Sequence, residues 1–460
     1  MIDLPVLATS AAAALSKPKK SLTVRTRRVA LIDLFVDGHA ANREQTGSFG
    51  SLMTAGGLFG KLLMAVKRHK LYLPISYFGY LAAQLRGHGC EVNLYNGMPR
   101  DEDLVLIASS MFASQREVEL ARMIKAANPQ ARVGVVGAFA KARPDVFADA
   151  ADFVIAGEPE GVADRLAARD CLDGVIESGV VADLESLPFP DWTGFPVEKY
   201  SYFPALPRKP FLTVLSSRGC PFYCPYCPYL VLQEKKWRKR GAAHVVDEIE
   251  YLVRRFGIRS FLFRDPLFSA SKKRVIAICE EMLGRNLSVE WCCETRLDVM
   301  DEEPIDIMVR AGMRAMNCGI ESDNDEHVAE LNRRVIAKDR IARLLKYMDE
   351  RGVKVQAFYI IGLVQDTAKS IRSCIDYAIK LNTFSAQFCV MTPFPGTKFY
   401  DEIKDRITTD DWSRYTEYEP VIRLDGVDDA TLLKLRNQAY RRYYLRPSWA
   451  LKHGWKLCKR

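Results

Sequence analysis

Three cysteines lie within eight residues of the chain, in the segment Arg218–Tyr229. Cys220, Cys224 and Cys227 have the spacing C-x3-C-x2-C. Thiolates that are this close in sequence suit one soft metal centre, either zinc or an iron–sulfur cluster. A structural zinc site takes four protein ligands, but no second cysteine pair follows, and the next histidine is His244. The alternative is a [4Fe–4S] cluster, because three cysteines would leave one iron open for chemistry.

The same segment resembles the signature of the radical SAM superfamily. In that family the open iron binds the amino and carboxylate groups of S-adenosylmethionine (SAM). An aromatic residue directly before the last cysteine belongs to the pattern, and Tyr226 holds that position here. The resemblance implies that Cys220, Cys224 and Cys227 are the metal ligands and the catalytic centre, with Tyr226 beside SAM.

The composition predicts a multidomain protein of a reducing compartment. The chain has 460 residues, of which 48% are hydrophobic, which is enough for two or three domains with their own cores. Twelve cysteines without a secretory leader pattern predict a cytoplasmic location, and the cysteines outside the trio are expected to be small buried residues. We expect residues 1–25 to form a disordered tail. No run of about 18 apolar residues occurs, so no membrane-spanning helix is expected.

The net charge of +9 is concentrated at the C-terminal end, where lysines and arginines alternate with tyrosines and tryptophans from Lys434 to Arg460. Such a mixture fits an anionic membrane surface. It fits equally well a basic, partly helical region that packs on the preceding domain. Nucleic-acid binding is the less favoured interpretation of this charge.

Strand and helix patterns alternate along the N-terminal half. Apolar runs predict strands over residues 28–34, 91–95, 104–109, 132–136 and 153–156, and helices are expected over 75–87 and 115–127, with a short helix near 58–66. This alternation predicts a Rossmann-like, doubly wound parallel sheet. Ligands bind beyond the carboxyl ends of such strands. Small residues follow those ends here, namely Ser109, Ser110, Gly137 and Gly157.

This layout resembles the cobalamin-binding domain that precedes many radical SAM domains. The resemblance rests on the segments 104–110 and 152–160 and on the Val135–Gly137 turn. It implies that cobalamin contacts Ser109, Ser110, Gly137 and Gly157. In methionine-synthase-type domains a histidine after the first strand ligates cobalt, whereas Phe35 stands at that position here. The resemblance therefore implies base-off cobalamin, in a domain over residues 26–165 that a linker over 166–205 follows. A domain that binds no ligand is the alternative.

The C-terminal half repeats a strand–helix unit six times. Strands are expected over residues 211–216, 260–263, 289–293, 313–319, 354–361 and 386–391, with helices over 244–256 and 272–284 among those between them. Six such units predict a partial (β/α)6 TIM-like barrel over residues 206–400, with its chemistry at the C-terminal rim. A basic helical region over residues 401–460 completes the chain.

Polar residues and glycines end these strands. The resemblance implies that they contact SAM: Asp265, Glu294, Arg296, Gly319, Glu321, Ser322 and Gly362. Structural alternatives exist for several of them. Asp265 also fits a cap at the end of a strand, Glu294 and Arg296 fit a structural ion pair, and Gly362 fits a bend.

The resemblance implies an enzyme that cleaves SAM reductively to a 5′-deoxyadenosyl radical and methylates an unactivated carbon with cobalamin as methyl carrier. A second hypothesis keeps both cofactors but predicts cyclisation, hydration or rearrangement. Transfer-RNA methylthiolating enzymes carry another cysteine trio in the N-terminal domain, where this chain has only Cys90 and Cys171. A hypothesis of another class is a non-catalytic metal-binding protein.

The expected partners follow from the same resemblance and from the tail. They are a small-molecule substrate, an external electron donor such as flavodoxin or ferredoxin, and the inner face of a membrane, which the basic tail would contact peripherally. The apolar segment 58–71 and the tail together suggest a lipid-like or tetrapyrrole-like substrate.

Overall fold

The structure is a computed structural model that describes residues 26–53, 65 and 70–458. The expected tail over 1–25 and, apart from residue 65, the expected helix near 58–66 lie outside the described residues. The strands are β1 Arg28–Ile32, β2 Leu71–Tyr72, β3 Glu91–Tyr95, β4 Leu104–Ala108, β5 Arg132–Val136, β6 Phe153–Gly157, β7 Gly174–Gly179, β8 Ser201–Tyr202, β9 Phe211–Val214, β10 Ser217–Arg218, β11 Arg238–Lys239, β12 Ser260–Phe263, β13 Glu290–Arg296, β14 Met313–Glu321, β15 Lys354–Ile361 and β16 Ser385–Val390. The helices are α1 Ser76–Gly87, α2 Ser114–Ala127, α3 Ala138–Ala142, α4 Ala163–Ala168, α5 Tyr229–Gln233, α6 Ala242–Phe256, α7 Lys272–Gly284, α8 Glu302–Arg310, α9 Asp325–Glu330, α10 Lys338–Glu350, α11 Ala368–Leu381, α12 Lys398–Glu402, α13 Asp429–Tyr444 and α14 Pro447–Cys458.

The N-terminal domain is the predicted parallel α/β sheet, and within the described residues its strand order is β3-β1-β4-β5-β6-β7. The strands β1, β4 and β6 are buried on both faces, which explains why their sequences are continuous apolar runs. The strand β7 pairs in parallel with β6 and lies within the segment 166–205 that was expected to be a linker. Its sequence contains two glycines, a serine and Glu177, and only Ile176 is buried, so the apolar run that predicts a buried strand is absent.

The C-terminal domain is the predicted partial barrel. Within the described residues six parallel strands follow one another in chain order, from β9 at one edge to β16 at the other. Along β15 and β16 buried and partly exposed residues alternate, so one set of side chains packs against the helices and the other faces the lumen. The strands β13 and β14 extend to Arg296 and Glu321, which places these predicted site residues on the strands themselves.

A buried ionic cluster joins the two domains. Glu158 and Glu160 follow β6 of the first domain, while Arg218 and Arg238 belong to the β-hairpin β10–β11 of the second. Glu158 accepts two hydrogen bonds from Arg238, at 2.7 and 2.8 Å, and Arg218 donates to Glu160 at 2.7 Å. The side chains of all four residues are at most 4% exposed. Since Arg218 lies two residues before Cys220, this cluster ties the cysteine loop to the N-terminal domain.

The C-terminal region packs on the barrel, as one of its two interpretations predicted. Helix α13 lies against the edge strand β16, where the hydroxyl of Tyr440 accepts the backbone N–H of Phe388 at 3.1 Å. The hydroxyl of Tyr444 likewise accepts the N–H of Ala386 and donates to its carbonyl. These tyrosines satisfy backbone groups that an edge strand otherwise leaves open. No helix in the described part of the chain is long and apolar enough to cross a membrane.

Candidate active site

The cysteine loop lies at the carboxyl end of β9, on a cavity of about 320 Å³ that Cys220, Cys224 and Cys227 line. The N–H of Cys227 donates to the carbonyl of Cys224 at 3.0 Å, which closes the second half of the loop as a turn. Gly219 precedes the loop with φ +77°, and a Cβ there would lie 2.3 Å from the carbonyl oxygen of Lys236. Only glycine therefore allows the chain to enter the loop at this point.

The surroundings of the thiols suit a cationic iron–sulfur centre. Burial raises the pKa of the Cys227 thiol to about 12, and the neighbouring Cys224 adds to this rise. Burial also raises the pKa values of Cys220 and Cys224. Without a metal the thiols would therefore stay protonated. A metal centre reverses this preference for the neutral thiol, because its positive charge stabilises the thiolates. The partly exposed sulfurs face an open cavity, so the donor set fits a cluster with one free position.

Among the described residues, no group of three His, Cys, Asp or Glu side chains is close enough to hold a single metal ion. A [4Fe–4S] cluster separates its ligands further than one ion does, because each thiolate binds a different iron.

Five of the predicted SAM residues line the same cavity: Tyr226, Glu294, Arg296, Gly319 and Glu321. Arg296 lies over the ring of Phe222 at 4.2 Å, and its Nη1 approaches the sulfur of Cys224 at 3.8 Å. Gly319 lies beside Glu321, whose carboxylate would be 2.1 Å from a Cβ at position 319. Glu321 itself has φ +66°, a strained conformation for a residue with a side chain. The barrel rim thus places charged groups and bare backbone next to the cysteine loop.

The remaining predicted SAM residues do not line this cavity. Asp265 is fully buried, where it accepts hydrogen bonds from the backbone N–H of Ser216 at 2.8 Å and from the hydroxyls of Ser216 and Ser217. The hydroxyl of Ser322 accepts the N–H of Asn324, and the N–H of Gly362 donates to Asp366. These contacts match the structural alternatives for such positions, namely caps and bends at strand ends.

Two arginines that line the cavity, Arg264 and Arg333, were not predicted from the sequence. Arg333 pairs with Glu321 and donates to the carbonyl of Gly319 at 3.2 Å, from a loop between α9 and α10. Arg264, directly after β12, pairs with Glu294 and donates to the hydroxyl of Tyr229 at 2.9 Å. Position 264 directly follows a predicted strand, which was a usable signal, whereas no local pattern marks position 333.

The floor of the cavity is polar but uncharged. The amide of Asn317 donates to the hydroxyl of Tyr202 at 2.7 Å, and the amide of Gln356 donates to the oxygen of Asn317 at 2.6 Å. Tyr202 belongs to β8, which pairs with β2 of the N-terminal region. Residues from both halves of the chain therefore build this floor.

The predicted cobalamin residues lie together at the carboxyl edge of the first sheet. The hydroxyl of Ser109 accepts the N–H of Ala140 at 3.1 Å, and a Cβ at Gly137 would lie 2.7 Å from that hydroxyl oxygen. Ser110 donates to Glu117 at 2.7 Å. A Cβ at Gly157 would lie 2.3 Å from the carbonyl oxygen of Gly179 in β7.

Two properties of this edge bear on cobalamin binding: the size of its side chains and the residue at position 35. The side chains are small, and Phe35 packs edge-on against Tyr72 with ring centroids 5.4 Å apart. The position that bears a cobalt ligand in histidine-containing domains thus presents an apolar ring. From the same domain Gln45, Thr46 and Ser51 reach the cavity that the cysteines line. Ser109, Ser110, Gly137 and Gly157 are buried and do not line that cavity, so this edge fits a cobalamin that no histidine at position 35 ligates only through small side chains and an apolar ring.

Comparisons with known proteins agree with this architecture. Residues 214–378 match the family model of the radical SAM superfamily. The chain is 27% identical over 375 residues to an uncharacterised methyltransferase from Pyrococcus horikoshii, a match that covers 76% of this chain and 81% of the relative. It is also 27% identical over 419 residues to the anaerobic magnesium-protoporphyrin IX monomethyl ester cyclase of Rubrivivax gelatinosus, covering 81% and 74% of the two chains.

Among solved structures, the radical SAM methyltransferase TsrM from Kitasatospora setae, which contains cobalamin and a [4Fe–4S] cluster, superposes with a TM-score of 0.58. The superposition covers 83% of this chain and 78% of TsrM at 16% identity, so it shows a shared fold.

Proposed function

Because this chain belongs to the radical SAM superfamily, in the branch with an N-terminal cobalamin-binding domain, we propose that it is a C-methyltransferase acting on a small molecule. The observation that carries the proposal is the single cavity that both domains build. Its wall contains the three cysteines on the barrel side and Gln45, Thr46 and Ser51 on the other. A substrate in this cavity would lie between the two cofactor sites, as methyl transfer requires.

A cluster held by the three cysteines would supply the electron that cleaves SAM, and a bound cobalamin would supply the methyl group. The chain's own residues bind and shield. Cys220, Cys224 and Cys227 hold the iron, and the rim residues Arg296 and Glu321 face the position of SAM. The aromatic side chains of the wall, with Phe222 and Phe358 among them, exclude water that would quench a radical.

The experiment that tests this proposal is an anaerobic purification with iron and cobalamin supplied. Iron, cobalt and the absorption spectrum are measured, and 5′-deoxyadenosine is then assayed after addition of dithionite and SAM. We expect cluster, base-off cobalamin and deoxyadenosine together. Deoxyadenosine without bound cobalamin would refute methyl transfer. Zinc in place of iron, without SAM cleavage, would identify a non-catalytic metal protein.

A second candidate reaction keeps both cofactors but closes a ring. It is favoured by the 27% identity to the magnesium-protoporphyrin cyclase over 419 residues. Mass spectrometry of the product distinguishes the two, because methylation adds one methyl group and cyclisation does not. In either case the enzyme needs an external one-electron donor, for which flavodoxin or ferredoxin is the class expected in the cytoplasm.

The surface of α14 supports a peripheral contact with the inner face of a membrane and, through it, a lipid-like substrate. Leu451 is 82% exposed and Trp455 is 51% exposed, while Lys456 points inward to Asp349 at 2.7 Å. The apolar face therefore points outward from a region rich in cations, a pattern typical of helices that lie in a membrane interface.

The test is co-sedimentation with phosphatidylglycerol–phosphatidylcholine vesicles. We expect L451S/W455S to lose most of the binding, whereas the matched control M123S, at a residue that is 58% exposed on α2, keeps it. Equal pelleting of the wild type and the double variant would refute the contact.

A further inference from the structure

The charges that line the cavity are almost fully paired. Among the described residues every arginine of the wall is paired: Arg264 binds Glu294 and lies 3.8 Å from Glu44, Arg296 binds Asp298, and Arg333 binds Glu321. Glu417 also lines the cavity, and no ion pair to it occurs in the described part of the chain. The wall thus has one carboxyl group beside which the described residues place no cation.

The protein holds Glu417 at a defined position. The N–H of Val390, the last residue of β16, donates to the backbone carbonyl of Glu417 at 2.8 Å. The hydroxyl of Thr46 donates to Oε2 of Glu417 at 3.0 Å, and the hydroxyl of Ser51 also binds the carboxyl group. Thr46 and Ser51 come from the N-terminal domain, so the carboxyl group lies where the two domains meet.

The backbone of Glu417 adopts φ +67°, a conformation that is strained for a residue with a side chain. Burial raises the pKa of Glu417 to about 7, although both hydroxyls oppose the rise. Glu417 is partly buried, and a carboxylate that is partly shielded from water without a neighbouring cation is costly, so an incoming cation would lower that cost. Strain and an uncompensated charge are features that the fold tolerates at a binding site.

The neighbouring wall is suited to a cation with an apolar body. Partly exposed positions alternate along β15 and β16, so Phe358, Ile360 and Gln387 face the lumen. Phe358 pairs in register with Gln387 of β16, whose last residue, Val390, bonds to Glu417. Aromatic faces attract cations, and an amide supplies a further neutral hydrogen-bonding group.

We propose that Glu417, positioned by Thr46 and Ser51, accepts a cationic nitrogen group of the substrate, so that the substrate class is a compound with a basic amine. The assignment of this group to the substrate rests on the proposed function, whereas the cavity alone defines the subsite. An ammonium group on this carboxylate forms the ion pair that no described residue completes. The rest of such a molecule lies along Phe358 and Ile360.

The experiment compares two probes of nearly equal shape, benzylammonium and benzyl alcohol, by anaerobic calorimetric titration of the cluster-loaded protein. We expect wild type to bind benzylammonium about tenfold more tightly than benzyl alcohol, because a charge-assisted hydrogen bond is gained. Glu417→Gln should remove this preference. Glu419→Gln is the matched control, because Glu419 lies in the same segment and pairs with Arg414, and it should keep the preference.

Equal affinities of the two probes for wild type, or no binding of benzylammonium, would overturn the proposal. So would an unchanged preference in Glu417→Gln. If that variant weakens SAM as much as benzylammonium, the carboxyl group serves SAM, and the assignment to substrate is refuted.

A second measurement covers the case that Glu417→Gln does not fold. Carbodiimide coupling of glycine ethyl ester to Glu417 of wild type is quantified by peptide mass spectrometry. Benzyltrimethylammonium, whose quaternary nitrogen cannot couple to the activated carboxyl group, should protect this residue about fivefold better than benzyl alcohol, and equal protection refutes the subsite. Failure of the proposed function is a separate outcome, since it appears as absent deoxyadenosine in wild type and leaves the probe selectivity unaffected.

Discussion

Replacing Glu158 by glutamine should weaken the ionic contact that holds the cysteine loop against the N-terminal domain. Glu158 accepts hydrogen bonds from Arg238 at 2.7 and 2.8 Å and from the N–H of Val181 at 2.7 Å, and it lies 3.2 Å from Arg218. Two arginines and two glutamates, with Glu160 as the second, form a neutral buried cluster. The variant leaves this cluster with one uncompensated positive charge.

The magnitude follows from the burial of the cluster. Both arginine side chains are at most 4% exposed, so water cannot replace the lost carboxylate. Breaking a buried ion pair from one side costs about 3–5 kcal/mol. We therefore expect the free energy of unfolding of Glu158→Gln to fall by about this amount, measured by urea denaturation of the anaerobic protein near neutral pH. The matched control is Asp101→Asn, which removes the exposed pair with Arg28 and should leave the stability nearly unchanged.

The pH dependence provides the refuting result. Burial by itself raises the pKa of Glu158, but Arg218 and Arg238 together outweigh it and hold the pKa below its ordinary value of 4.5. A carboxylate with a lowered pKa stabilises the fold above its unfolded pKa, and this contribution is lost as the pH falls through the folded pKa. The deficit of Glu158→Gln should thus shrink in acid. A variant as stable as wild type at neutral pH, or a deficit that stays constant on acidification, would contradict the reasoning.

Three further predictions concern the metal, a proton and the tail. Cys224→Ala should lower the iron content and abolish deoxyadenosine formation, and a full iron complement in the variant would contradict the ligand assignment. The fold raises the pKa of Glu417 to about 7 from its ordinary value of 4.5, so the folded state prefers the protonated form. Wild type should therefore lose about 3 kcal/mol of stability as the pH rises through this interval. Glu417→Gln should show no such loss in urea titrations. Tyr440→Phe should cost about 1–2 kcal/mol of stability, since the N–H of Phe388 loses its acceptor. Tyr347→Phe on α10 removes only an exposed hydrogen bond to Asp306 and should leave the urea midpoint nearly unchanged. Equal midpoints for both variants would exclude the role of Tyr440 on the edge strand.

Much of the fold could be predicted because its signals are local. The strands β5 and β12 are short, largely buried apolar runs, and they have the predicted bounds. The partly buried strands β3 and β15 also have the predicted bounds. The strand β7 escaped prediction for the converse reason. It lies at the edge of its sheet, contains Glu177 and two glycines, and is a strand because it pairs with β6 and not because it is hydrophobic.

The sequence by itself determined the cysteine loop, since C-x3-C-x2-C places three thiolates on one turn whatever surrounds them. It also determined that polar residues meet at the ends of barrel strands. Only the tertiary structure decided which of these residues face the cavity, with Glu321 inside it and Asp265 buried beneath Ser216. The partners of Glu158 and Glu417 likewise come from segments distant in the chain. Pairing of buried charges depends on distance and desolvation in space, and residue spacing along a sequence does not encode either quantity.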